Sequence, residues 1–518
     1  MKEYRYDRQE GPTTTDVNWV RVLQHHAERT PDQVLAAFGG RRATYADMVR
    51  SARRAAAGLQ ARDIGPGDVV ALLSYNNIET LTVQFAANYL GAIVMPLNWR
   101  LAAAELEFIL GHADARVLVC DLDLIELADA ATAGMGELVR IAISAEDIEG
   151  WERFDHLDDA AGPARYRPAA ESDVQRLMYT SGTTGRPKGV MITHANLAWK
   201  NYAHVAEFGF TAADVGLACG PMYHVGALDL VITTLISVGA TVVVHKVFDA
   251  AAVVDEVERS AVTLIWLAPA MLRAIIDLPG IADRDLSSVR VIIGGGEKMP
   301  IPVLERAQQV FSSAWLADAY GLTETVSGDT FLDRHSLTTK LGSVGKTCLY
   351  VELDIQDEAG TSLPPGSSGE IVLRGPKVFS GYWRDEEATA RAFAGGWFHT
   401  GDIGVRDDDG YVYIVDRLKD MIVSGGENIA GSEVERVLYE HSAVVEVAVV
   451  GRAHERWGEV PVAFVVARAS VPVTAEELIA HCRTQLAKFK VPTAVWFVEA
   501  LPRNASGKVL KKELRRQL

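Results

Sequence analysis

Residues 180–188 read Thr-Ser-Gly-Thr-Thr-Gly-Arg-Pro-Lys, a run of short hydroxyl side chains and glycines that ends on a cation. Such a composition suits phosphate. Thr180, Ser181, Thr183 and Thr184 supply donors, Gly182 and Gly185 let the backbone approach an anion, and Lys188 adds positive charge. The Walker pattern Gly-x-x-x-x-Gly-Lys-Ser/Thr is not met, because Arg186 and Pro187 separate Gly185 from Lys188. A P-loop hydrolase is therefore excluded, and a plain Ser/Thr/Gly surface turn accounts poorly for so ordered a run.

Further short motifs follow in order: Tyr320-Gly321-Leu322-Thr323-Glu324, Thr400-Gly401-Asp402, Asp416-Arg417-Leu418-Lys419-Asp420, Ser424-Gly425-Gly426-Glu427-Asn428, and Pro502-Arg503-Asn504-Ala505-Ser506-Gly507-Lys508. Taken together, in this order and spacing, they resemble the adenylate-forming superfamily of acyl- and aryl-CoA synthetases, peptide-synthetase adenylation domains and luciferases. The resemblance spans almost the whole chain. It implies that a carboxylic acid is activated by ATP with Mg²⁺ as an acyl-adenylate and passed to CoA. In that scheme the 180–188 loop would hold the β- and γ-phosphates, Thr323 would lie beside the α-phosphate, and Glu324 would hold Mg²⁺. The adenine would sit near Tyr320, with Asp318, Ala319, Gly321 and the turn Gly294-Gly295-Gly296-Glu297 close by. Asp402 would bind the ribose hydroxyls with Arg417 beside it. Lys508, which alone would read as a solvated lysine among Lys511, Lys512, Arg515 and Arg516, would reach the carboxylate and α-phosphate in one domain orientation only.

The thiol step implies a second orientation, pivoting at Lys419, in which Gly425 and Gly426 face a pantetheine tunnel. Trp457 and Phe489 match positions that contact the CoA adenine in aryl-CoA ligases, and either could instead be core. Lys490, with Lys488 and Arg503, would offer local positive charge to CoA phosphates. Where many relatives carry Ile-x-Pro, this chain has Ile429-Ala430-Gly431-Ser432, and Ser432 with Glu435 is expected to form a capping box for the next helix. The acyl pocket is expected between Tyr223-His224-Val225-Gly226, Gly294 to Gly296, and Ala319. These segments look most like the feruloyl-CoA synthetase branch, which favours an aromatic or bulky cyclic acid over a medium or long fatty acid. Two other readings stand beside it: an enzyme of one half-reaction, adenylation or thiolation alone, and a non-catalytic nucleotide- or acyl-binding protein.

These residues need a scaffold, and periodicity predicts an α/β one. The run Val69–Leu73, helical spacing over 78–90 and an apolar run at 92–95 make a βαβ unit with parallel strands. Further buried strands are expected at 117–120, 241–244, 264–267 and 289–293. The apolar stretch 228–244 contains Asp229 and Gly239, and reads as buried helix, turn and strand, short of the ~20 predominantly apolar residues of a membrane span. From Val351 shorter strands with Gly and Pro turns predict a β-rich subdomain. The expected architecture is a large multi-layer N-terminal domain, 1–416, with that subdomain, and a small mobile α+β domain, 417–518.

Composition agrees. A chain of 518 residues exceeds what one core of ~250–300 residues serves. A formal charge of −17 argues against nucleic acid and anionic membrane, so anionic ligands must meet local positive charge. Cys120, Cys219, Cys348 and Cys482 lie far apart without metal-type spacing, and no signal peptide is read, which points to a reducing cytoplasm. A homodimer is left open.

Overall fold

Short aliphatic runs bounded by glycine, proline or charge become buried strands, and the longer amphipathic runs between them become helices covering the sheets. The computed structural model of the chain describes residues 16–160, 162–180, 187–297, 299–424, 427–504 and 508–518. Val69–Leu73 pairs in parallel with Ile93–Pro96 and with Ala115–Asp121. The crossover helix Ile78–Tyr89 begins where Asn77 accepts the Thr80 N–H at 2.7 Å, which completes the expected βαβ unit. This sheet ends in an antiparallel hairpin, Val174–Thr180 with Lys188–Thr193, whose register sets Thr180 opposite Lys188.

A second sheet runs Trp315–Tyr320, Val291–Gly294, Leu264–Leu267, Val215–Ala218, Thr241–Val244 and Val34–Phe38, each strand parallel to the next. Its register sets Leu267 beside Gly294 and Gly294 beside Asp318, so these strands deliver their carboxyl ends to one rim. The strand expected at 289–293 starts later, because the Val289 N–H closes a turn on the Leu286 carbonyl. Helix, turn and strand appear over 228–244 as expected, with one difference: Gly226–Thr233 is a π-helix before the short α-helix Thr234–Ser237. The β-rich subdomain is the antiparallel sheet Glu352–Gln356, Ser368–Arg374, Phe398–Arg406 and Val412–Arg417.

The C-terminal domain is a small α+β unit. Val444–His454 and Gly458–Ala467 form a hairpin, Ala494–Phe497 adds in parallel, and the helices Gly431–Tyr439 and Ala475–Gln485 bury Val434, Val437, Leu438 and Leu478 against it. The expected capping box does not form. The helix begins at Gly431, the Ser432 N–H is taken by Asp416 at 3.3 Å, and Glu435 turns away to the Val449 N–H and Lys511. Gly431 is required by packing, since a Cβ there would stand 2.8 Å from the Val449 carbonyl oxygen. Among the described residues no helix is long and apolar enough to cross a membrane.

Candidate active site

Strand register builds the nucleotide side of the cleft. Asp402 pairs directly with Arg417 across the subdomain sheet, so Arg417 Nε lies 3.3 Å from its carboxylate. The Tyr320 hydroxyl donates to the other Asp402 oxygen at 2.8 Å. Gly401, at φ 71°, takes a left-handed conformation that a side chain would strain. Thr323 and Glu324 sit in a tight 3₁₀ turn, Thr323–Thr325, and the Tyr382 hydroxyl donates to Glu324 Oε1 at 3.1 Å. Enclosure by protein pushes the Glu324 carboxyl above the ordinary range, against the pull of Lys508 and Arg417. Tyr382 also receives the Lys188 ammonium 4.9 Å from its ring centroid, which links the phosphate hairpin to the Glu324 turn. Thr180 stands across the hairpin from Lys188. Ser181, Gly182, Thr183, Thr184 and Gly185 lie outside the described residues.

The C-terminal domain contributes Lys508. An isolated bridge between Arg503 and Val509 closes its loop, and Asn504 Oδ1 accepts the Lys508 N–H at 2.8 Å. Glu297 anchors that loop: its Oε1 accepts the Val509 N–H at 3.2 Å and faces Arg503 at 3.5 Å. Lys508 thereby enters the fields of Asp402, Glu297, Glu324 and Arg417, and desolvation, reinforced by Arg417, lowers its pKa. Glu297, expected near the adenine, is thus engaged by the second domain.

On the acyl side, Gly295 packs against Ala319, where a Cβ would lie 2.9 Å from the carbonyl oxygen. Asp318 turns its carboxylate to the Ala319 N–H at 3.1 Å. His224 Nδ1 accepts the Gly226 N–H at 3.1 Å, which leaves the proton on Nε2. Burial, and then the Lys508 charge, push the His224 pKa down to about 4, so the ring is neutral at pH 7. Its ring stacks on Trp266 at 5.8 Å. A Cβ on Gly226 would stand 2.5 Å from Trp266 and one on Gly220 2.6 Å, so both glycines make room for that indole. Val225 is buried beside them. Tyr223 takes a hydrogen bond from Arg100, whose guanidinium lies 4.0 Å over Trp99.

Tyr382, Trp266 and Arg100 were not among the residues expected from sequence. Gly381-Tyr382-Trp383 offered a signal for the first, an aromatic pair after a glycine; Trp266 was hidden in a buried strand. Of the residues expected at the thiol tunnel, Lys490 Nζ lies 5.8 Å from the Phe489 ring centroid. Trp457 and Phe489 are exposed on the small domain, and Lys490 is paired with Glu433 at 2.7 Å, so its charge is already met. Lys419 falls in the 3₁₀ turn Leu418–Asp420, after the last subdomain strand. Gly425 and Gly426 lie outside the described residues.

Comparison with known proteins finds two family models along the chain. The AMP-binding enzyme model matches residues 23–383, and the model for the AMP-binding enzyme C-terminal domain matches residues 433–508. Feruloyl-CoA synthase of an Amycolatopsis species is 39% identical over 491 residues, 95% of this chain and 97% of that protein. Indoleacetate–CoA ligase of Aromatoleum aromaticum is 36% identical over 495 residues, 95% of this chain and 96% of that protein. The o-succinylbenzoate CoA synthetase of Bacillus subtilis, solved with its acyl-adenylate intermediate, superposes with a TM-score of 0.86 at 32% identity, covering 96% of this chain and 98% of that one. Likeness of this extent means that the chain belongs to the AMP-binding enzyme family, C-terminal domain included.

Proposed function

We propose that the protein is an AMP-forming acid–thiol ligase that activates an aromatic or bulky cyclic carboxylic acid and passes it to CoA. The observation that carries this reading is Lys508, in a small-domain loop that is anchored where Glu297 accepts the Val509 N–H at 3.2 Å, which sets its charge in the fields of Asp402, Glu297 and Glu324. In the first step a carboxylate oxygen attacks the α-phosphorus of ATP, the bond to pyrophosphate breaks, and an acyl-adenylate forms. Two anions must meet, so positive charge placed where negative charge develops lowers the barrier. Lys508 supplies it from the small domain. Thr180 and Lys188, with the 181–185 loop, hold the outer phosphates; Asp402 holds the ribose hydroxyls; Arg417 orients Asp402. In the second step the CoA thiol attacks the acyl carbon and AMP leaves.

The residues present fit Mg²⁺. A lone carboxylate such as Glu324, completed by phosphate oxygens and water, is the usual protein share of a nucleotide-bound Mg²⁺ site. Its Oε1 is steadied by Tyr382. When bound, the ion neutralises phosphate charge.

Support for an aromatic acid comes from relatives named for feruloyl and indoleacetate, and from the stacked aromatic pair His224–Trp266 in the segment expected to line the acyl pocket. We take residues 1–416 as the nucleotide and acyl domain and 417–518 as the small domain that turns about Lys419. The reaction draws on ATP and CoA from the cytoplasm. The test is a panel of cinnamic, indole-acetic, benzoic and fatty acids assayed for AMP and thioester. We expect AMP and aryl-CoA; ADP in place of AMP overturns the mechanism, and fatty acyl-CoA alone overturns the substrate class.

A further inference from the structure

After the Thr323–Thr325 turn the backbone does something uncommon. Val326, Ser327 and Gly328 take φ of 55°, 64° and 57°, three successive left-handed residues, and the first is β-branched. Branched side chains avoid that region, so the surroundings must impose it. The bend folds residue 328 back over residue 321: a Cβ on Gly321 would stand 2.3 Å from the Gly328 nitrogen. The Ser327 N–H returns to the Leu322 carbonyl at 2.9 Å and the Asp329 N–H to the Tyr320 carbonyl at 2.7 Å.

Lys377 grips the far side of this bend. Its fully buried ammonium donates to the Ser327 carbonyl at 2.7 Å, the Gly328 carbonyl at 2.8 Å and Asp329 Oδ1 at 2.7 Å. Asp329 in turn accepts the Thr325 hydroxyl, and His204 Nε2 donates to the Gly328 carbonyl at 3.0 Å. The segment that carries Lys377 is itself fixed. Asn196, in the first turn of the helix His194–Phe208, donates to the carbonyls of Pro376 and Val378, each at 2.9 Å. Two residues beyond Lys377, the Phe379 N–H takes the Glu324 carbonyl at 2.7 Å. One short segment therefore holds both ends of the stretch 324–329.

We infer that Lys377 is a positioning residue for adenylation: its three bonds keep the left-handed bend closed and so aim Thr323 and Glu324 at the reacting phosphate. The inference rests on the adenylation reading proposed above. Without the ammonium, two buried carbonyls lose this donor and the strained residues have reason to relax, which moves the turn in front of them. The first half-reaction is sensitive to displacements of an ångström, because charge develops on the phosphate there. Attack on a finished adenylate places no such demand on Glu324.

The test uses the full-length enzyme with Lys377→Met, and the double variant Lys377→Met/Asp329→Asn, which leaves no buried carboxylate without its cation. Circular dichroism checks folding, pyrophosphate release measures adenylation, and thioester formation from a synthetic acyl-adenylate measures thiolation. We expect adenylation kcat to fall about 10- to 100-fold, with KM for ATP and the thiolation rate within about threefold of wild type. A folded variant with near-wild-type adenylation overturns the inference. So does an equal fall in both half-reactions, and so does failure of both variants to fold, which would make Lys377 a requirement of the fold. If the wild type adenylates no acid, the functional reading itself fails and this inference with it.

Discussion

Lys508 holds its proton under opposing pressures, and desolvation decides. Removal from water and the neighbouring Arg417 lower its pKa, while Asp402, Glu297 and Glu324 raise it less. A lowered lysine pKa means that the positive charge is lost at a lower pH than in a free lysine, so adenylation should fall on the alkaline side before an ordinary lysine would titrate. Thiolation of a supplied adenylate should show no such limb, and in Lys508→Arg the limb should move out of range, because guanidinium stays charged. Single-turnover rates against pH decide this; the same alkaline limb in both half-reactions would refute it. Lys508→Ala should cost adenylation about 10²–10³-fold, the usual loss of one preorganised electrostatic donor, and leave thiolation nearly intact. Tyr382→Phe removes the hydroxyl that donates to Glu324 Oε1 but keeps the ring under Lys188. A hydrogen bond to a charged group contributes about 1.5–3 kcal/mol, so adenylation should drop roughly tenfold or more, and a rate unchanged by the substitution would show that Glu324 needs no such support. Motif residues such as Asp402, Glu324 and Lys508 could be read from sequence because each stands in a short pattern. Tyr382 and Lys377 could not, because their importance lies in partners 58 and 48–50 positions away.

The π-helix Gly226–Thr233 is the element that most directly shapes the proposed acyl wall, since it begins on the glycine packed against Trp266. A π turn leaves a carbonyl out of the α pattern, and here Lys200 takes it: its buried ammonium donates to the Asp229 carbonyl at 2.5 Å, Thr233 Oγ1 at 2.8 Å and Thr234 Oγ1 at 3.0 Å. Asp229 is held on its other side by Arg176 at 2.5 Å, with both side chains fully buried. Lys200→Met should lower the unfolding free energy by about 1–3 kcal/mol, the usual penalty of buried groups left unsatisfied, as read by urea denaturation. It should also raise KM for the acid more than KM for ATP, because the wall moves and the nucleotide side does not. Equal changes in both constants would argue against a link between this helix and the acyl pocket. Period and punctuation made the strands at Val69–Leu73, Thr241–Val244 and Leu264–Leu267 legible in the sequence, to the residue. The π register was not legible, because it depends on Lys200 arriving from another helix. The capping box failed for a similar reason: Asp416, on a different strand, reached the helix start first.

At the scale of the molecule, two domains meet in one of the two arrangements the proposed chemistry requires. Glu297 holds the Lys508 loop through Val509 and Arg503, and Arg273 donates to the Val445 carbonyl on the small domain. On the proposed reading this arrangement serves adenylation. On that reading the thiol step calls for a second orientation of the small domain, and these contacts must part to reach it. The chain crosses between domains at the 3₁₀ turn Leu418–Asp420, where Asp420 is tied to Arg515 at 2.9 Å and the Met421 N–H returns to the Arg417 carbonyl at 3.2 Å. With the body on both sides held by strands and ion pairs, the proposed rotation would concentrate its φ and ψ changes in this turn. Proline at residue 419 fixes φ near −65° and removes a donor, so Lys419→Pro should favour one orientation over the other. The residue is far in sequence from Lys508 and Glu324, and neither core is altered. We expect a folded variant that retains one half-reaction near wild-type rate and loses the other by at least about tenfold, as expected when a hinge fails and the catalytic groups do not. Pyrophosphate release and thioester formation from supplied adenylate, measured separately, decide it: both rates near wild type would move the pivot away from Lys419, and both lost equally in a folded protein would show that the turn supports the cleft and does not swing it.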